Sequence, residues 1–300
     1  MDTGGPLAPN RHGDNTIESV NSYRICDVIV TADCALPECR PAPSVRPAVT
    51  IECEPSAAAT TYPDALSATL SAGSVVVPSA DRLVVQPSIG TTDEAVRQLV
   101  LGMGIRLLFH RRGNLVFHAS AIDIDGTAVA FLGGSGTGKS TTAAAFVDAG
   151  YDVLADDVVV VSDPSTPMVP RSFSAVKLDR STGRAYGLEP VDRDTAGGPR
   201  RRYHRTPTHF DNDACPLDSM YLLAEGDTVA IDPLDPGDVV FELMRYSYST
   251  YDGDDGDREA VSEHFHRCTS LTRSVDVHRL RRPPHLECLP DVVSAVTGDR

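Results

Sequence analysis

From Thr91 onward, apolar residues recur at Val96, Leu99, Val100, Met103, Leu107 and Leu108, the three-and-four spacing that lines one face of a helix. Thr91 or Thr92 can cap its start, Asp93 and Glu94 fall in its first turn, and Arg111, Arg112 and Gly113 sit where its negative end would stop. The period then switches. "NLVFHASAID" and "TAVAFLG" read as two strands separated by Asp125-Gly126, a tight-hairpin dipeptide. "KSTTAAAFVDAG" reads as a helix ending at Gly150, and "YDVLADDVVVV" as a buried strand. Upstream, short pieces such as "DVIVTA", "AVTIEC" and "RLVVQP" are strand-like among Pro, Ala, Ser and Thr. This order predicts an α/β fold: a mixed β-sheet flanked by helices over residues 91–300, preceded by a small, mostly β region over 1–90.

Composition narrows the setting. A chain of 300 residues with 41% hydrophobic content can bury a large core. The longest apolar candidate, Leu99 to Phe109, is short and interrupted by Arg106, and the start "MDTGGPLAPNRHGDN" has no apolar signal core. A cytoplasmic protein without a membrane span is expected. The net charge of -15 opposes nucleic acid and acidic lipid as partners. Dense carboxylates with only two lysines, Lys139 and Lys177, suggest a surface of the halophilic type. Seven scattered cysteines contain no CxxC pair, so reduced structural thiols are expected; four lie in the first 53 residues, where a metal site is the alternative, but their spacing matches no zinc pattern. The oligomeric state is open, a homo-oligomer included.

One stretch carries chemistry. In "FLGGSGTGKSTTAAAF", Gly133, Gly138, Lys139 and Ser140 satisfy G-x-x-x-x-G-K-[ST]. In that pattern glycines let successive backbone N–H groups curl around phosphate oxygens while the lysine meets the outer phosphates. A Gly/Ser-rich turn of no function is the plain alternative. Its position between a strand and a helix, whose N-terminus adds positive potential, favours the phosphate reading. Asp156 and Asp157 interrupt the apolar strand downstream, which is costly in a buried strand unless cations or donors meet them. Alternation sends the two to opposite faces, so they cannot share a role; the alternative is a strand that ends at Ala155 with both solvated.

Together, "FHASAIDIDGTAVAFLGGSGTGKSTTAAAFVDAGYDVLADDVVVV" resembles the core of the HPr kinase/phosphorylase superfamily, particularly its stand-alone HPr-kinase-like P-loop serine kinases. The resemblance implies an ATP- and Mg²⁺-dependent kinase acting on a serine hydroxyl of a protein or peptide. By that resemblance Gly133, Gly134, Ser135, Gly136, Thr137, Gly138, Lys139, Ser140 and Thr141 form the phosphate cradle. Ser140 and Asp157 would serve the metal, Asp156 would be the general base, and His118 would couple to the catalytic aspartate. HPr kinases carry a glutamate where this chain has Thr141, and their downstream loop linked to phosphorolysis is not recognisable here. The resemblance is therefore not extended to the reverse reaction or to HPr as substrate. A small-molecule kinase, for example of free serine, and a non-catalytic ATP-binding regulatory module remain alternatives.

Three other features are weighed against bland readings. Arg200, Arg201, Arg202 and Arg205 suit gripping a phosphate or an acidic acceptor, or else form a solvated loop. "YDGDDGDRE" fails the EF-hand ligand order and reads as an acidic loop leading into a helix near Arg258, capped by Asp257. His264 and His266 point apart on that helix.

Overall fold

The computed structural model describes residues 21–43, 46–54, 62–192, 199–209, 213–249 and 258–298. The acidic stretch at 250–257, with its expected cap Asp257, lies outside them. The chain is a mixed α/β protein with several sheets.

The N-terminal strands are β1 (Asn21–Ile25), β2 (Val28–Ala32), β3 (Arg40–Pro41), β4 (Val49–Cys53), β5 (Leu66–Leu70), β6 (Gly73–Ser79) and β7 (Arg82–Pro87). They form one seven-stranded sheet in the order β3-β1-β2-β4-β7-β6-β5, larger and more regular than the expected small region. Over it lies a long helical stretch: α1 (Asp93–Gln98), a π-helical segment (Leu99–Gly104) and α2 (Ile105–Arg111). Thr92 caps it, its side chain accepting from Ala95 N–H, and Gly113 follows it with φ 81°. Leu99, Val100, Ile105 and Leu107 bury the apolar stripe in one core with Ile51, Val75, Leu83 and Val85 of the sheet. That contiguous core also takes in Val158, Phe173 and Tyr203 from beyond the helix.

The second large sheet has the order β11-β9-β10-β16-β18-β17, made of β9 (Ala119–Ile124), β10 (Thr127–Leu132), β11 (Asp152–Ala155), β16 (Ala214–Glu225), β17 (Ala230–Pro233) and β18 (Asp276–Arg282). β13 (Met168–Pro170) pairs with β16 off this path, and a short helix, α4 (Arg180–Ala185), lies between them in the chain. β9 and β10 form the expected hairpin, with Asp125 and Gly126 at φ 52° and 87°. β10, β16 and β18 are mutually parallel. Helices cover both faces, which is why the strands read as nearly unbroken apolar runs. Ala121, Ala130 and Leu132 face α5 (Pro236–Tyr246) and α6 (Arg258–Leu271), whereas Ile122, Val129 and Phe131 pack against α3 (Lys139–Asp148) and α7 (Leu289–Gly298).

Two expected strands are in fact broken. "NLVFHASAID" divides at His118 into β8 (Leu115–Phe117) and β9, and "VLADDVVVV" divides at Asp156-Asp157 into β11 and β12 (Val159–Val161). β8 and β12 pair with each other in a small sheet, while β9 and β11 pair in the large one. The chain thus changes sheets twice at the same place. Asp157 makes one crossing with a left-handed backbone, φ 71°, and His118 N–H leaves the ladder to donate to Tyr246 O at 3.0 Å. Apolar residues continue on both sides of each break, so hydrophobic pattern alone does not reveal it.

Candidate phosphotransfer site

The glycine-rich loop leaves the carboxyl end of β10, beside the carboxyl ends of β16 and β18, and runs straight into α3. Crevices at such strand ends are where open α/β sheets bind ligands. Gly133, Gly136 and Gly138 have φ of 154°, 85° and 93°, which side chains with a Cβ rarely adopt. At Gly138 a Cβ would also collide with Nη2 of Arg282, whose guanidinium donates to Thr137 O at 3.1 Å and braces the loop. Lys139 is buried and donates from Nζ to Gly133 O at 2.8 Å and Gly134 O at 2.9 Å. Burial lowers its pKa to about 8, against the pull of Asp156 and Asp157.

A cavity of about 550 Å³ opens in front of this loop. Ser135, Gly136, Gly138, Lys139, Ser140 and Thr141 form one wall, and His118, Asp157, Lys177, Asp179, Arg200 and Arg201 line the rest. In a chain of charge -15, both of its lysines face this one space. Gly134 and Thr137 belong to the loop, linked by Thr137 N–H to Gly134 O at 3.4 Å, but do not line the cavity. A smaller cavity of about 230 Å³ adjoins the loop on its other side, between Thr141, Thr182, Leu223, Arg282, Pro284 and Leu286.

The two aspartates part company at the crossing. Asp157 lines the cavity: Oδ1 lies 3.2 Å from His118 Nδ1, and Oδ2 accepts from Lys177 Nζ at 3.2 Å. His118 Nδ1 is also 3.0 Å from Asp157 O, so one ring nitrogen fixes both ends of that residue. Burial alone would raise the Asp157 carboxyl, but the His118 hydrogen bond and the charges of Lys177, His118 and Arg106 outweigh it and hold it far below the usual range. Asp156 is fully buried and outside the cavity. Its Oδ1 accepts from Ser120 Oγ and its Oδ2 from Lys177 N–H at 2.7 Å, with a further hydrogen bond from Ser140. Burial raises its pKa, these donors lowering it in part. The residue expected to be the base is thus walled off, and the carboxylate that lines the cavity is its neighbour.

The arginine cluster is not a loop. Arg201 to Arg205 form β15 (Arg201–Arg205), paired with β14 (Ala175–Asp179), and strand alternation splits their roles. Arg201 reaches the site, donating from Nη2 to Ser140 Oγ at 3.1 Å and to Lys177 O at 2.6 Å. Arg202 points the other way into a buried two-bond pair with Glu94 of α1, at 2.6 and 2.7 Å. Two site residues escaped sequence reasoning. Lys177 could have been found from the scarcity of lysine; Arg282, within "VHRLRRPP", carries no comparable signal.

No protein-family model matches the chain, and no curated protein matches its sequence. Among solved structures, the Hpr(Ser) kinase/phosphatase from Coxiella burnetii is similar at 14% sequence identity and a TM-score of 0.32, over 61% of this chain and 94% of that chain. None of the described helices is long and apolar enough to cross a membrane.

Proposed function

We propose that this protein is an ATP- and Mg²⁺-dependent kinase that transfers the γ-phosphate of ATP to a serine hydroxyl of a protein or peptide. One observation carries the reading: Lys139, Ser140, His118 and Asp157 open on a single cavity that Lys177, Arg200 and Arg201 also line. The loop suits a triphosphate, because its left-handed glycines keep backbone N–H groups clear of side chains and Lys139 needs only to turn from two carbonyls to a phosphate. The nucleoside end would lie along the smaller cavity beyond Thr141.

In this reading the roles of the two aspartates are exchanged relative to the sequence expectation. Asp157 takes the proton from the acceptor hydroxyl, since it alone of the pair reaches the cavity. His118 orients it, and Lys177 releases it on moving to the incoming phosphate. Asp156 acts through Ser140, holding that hydroxyl toward the place where Mg²⁺ would be bound. Bound Mg²⁺ neutralises charge on the triphosphate. Arg200 and Arg201 on the rim favour an acceptor with an anionic group beside its hydroxyl.

The test is transfer from labelled ATP, followed by mass spectrometry, with serine-containing acidic peptides and free serine offered side by side. Phosphopeptide supports the reading, and a phosphorylated metabolite alone would replace its acceptor. Nucleotide binding with no transfer to any acceptor would sink it. Lys139→Ala should weaken ATP binding by about 100-fold in calorimetry, through loss of a charge-assisted contact to phosphate.

A further inference from the structure

Cys34 and Cys53 are far apart in sequence and match no zinc spacing, yet the N-terminal sheet brings them together. β2 and β4 run parallel with Ala32 beside Ile51, so two residues further on, past the end of β2, Cys34 stands beside Cys53. Asp33 closes the third side: its N–H donates to Ile51 O at 3.3 Å, and its Oδ2 accepts Cys53 N–H at 2.7 Å. One oxygen of Asp33 and the sulfurs of Cys34 and Cys53 all lie within 4.8 Å of one another. Asp33 is exposed and both cysteines are half-buried, so a solute can reach them. Cys26 and Cys39 are instead enclosed in the core.

We infer that Asp33, Cys34 and Cys53 bind one thiophilic divalent cation of the zinc class. Two sulfurs and one carboxylate oxygen make a borderline-soft donor set that disfavours calcium and magnesium, whose preferred ligands are all oxygen. Three protein ligands leave the fourth tetrahedral position to water on the exposed side. On binding, each sulfur gives a lone pair to the ion, and whatever protons the two thiols still hold pass to solvent; no electron is transferred. The ion would clasp the ends of β2 and β4. This site lies on the N-terminal sheet and is independent of the nucleotide reading.

Cobalt(II), added anaerobically to the reduced full-length protein, is the probe. One equivalent should give a thiolate-to-cobalt charge-transfer band and the visible bands of a four-coordinate ion. The band's intensity should correspond to two thiolates per ion, a measurement that needs no variant. Cys34→Ser and Cys53→Ser should each lose most of it, Asp33→Asn should weaken binding on the order of 10-fold, and Cys288→Ser should change nothing. Zinc should displace the cobalt. Intensity for fewer or more than two thiolates, bands that survive both serine substitutions, or a Cys34–Cys53 disulfide in place of metal uptake under these reducing conditions would overturn the inference.

Discussion

Glu94 and Arg202, where α1 meets β15, share two hydrogen bonds with both side chains buried, and one turn on Arg97 donates to the buried Glu38 at 2.9 Å and pairs with the more exposed Asp192. Asp157, by contrast, is half-buried, and its partners His118 and Lys177 line an open cavity. In the first region Glu94 and Arg202 close each other's charge, and their pair joins the N-terminal sheet's helix to the strand behind the site. In the second, the partners have other groups to meet when a ligand enters. Enclosed pairs resist being broken because a lone buried charge is costly; open ones can exchange partners, which phosphoryl transfer requires.

The sharpest way to break this contrast is Asp157→Asn, which should lower transfer by about 10³-fold while nucleotide still binds. A wild-type turnover rate in that variant would move the base elsewhere. On the closed side, Arg202→Ala should strip Glu94 of its partner and lower unfolding free energy by about 3–5 kcal/mol, read from denaturant midpoints. If stability is unchanged, the pair is not the tie described here. Lys139 offers a graded test. Bound phosphate favours the ammonium, so its pKa rises from about 8 on binding. Nucleotide affinity should therefore be level below about pH 8 and fall about 10-fold per unit above it. An affinity that holds steady well into that range would contradict a buried, easily deprotonated lysine. The smallest effect is expected at Arg82, which pairs with Glu52 at 2.6 Å, both about one third exposed. Arg82→Ala should cost about 0.5 kcal/mol, seen as a melting shift of a degree or two at most.

Much of this was legible in the sequence where one pattern governs one element. The helix after Thr92, the hairpin at Asp125-Gly126, and α3 with its end at Gly150 follow from spacing, caps and glycine chemistry. The glycine-rich loop was legible for the same reason, its spacing being its geometry. The site's far wall was not. His118 and Asp157 stand where strands change sheets, and apolar residues lie on both sides of each break, so periodicity gives no notice of them. Choosing between Asp156 and Asp157 needed the left-handed turn that aims one into the cavity and seals the other. The arginine run reads equally as a grip on anions or a solvated loop because its alternation is one of contacts, Arg201 to the site and Arg202 to Glu94, within a row of like residues.

The helical stretch between Asp93 and Arg111 also bears on handling the molecule. Its apolar stripe is covered by β-strands that precede it, with Leu83 lying where a Cβ on Gly104 would collide at 2.9 Å. A fragment trimmed to begin just before Thr92 would leave Leu99, Ile105 and Leu107 facing solvent. Such a fragment should express as inclusion bodies, its glycine-rich loop intact in sequence but set in a partly uncovered scaffold.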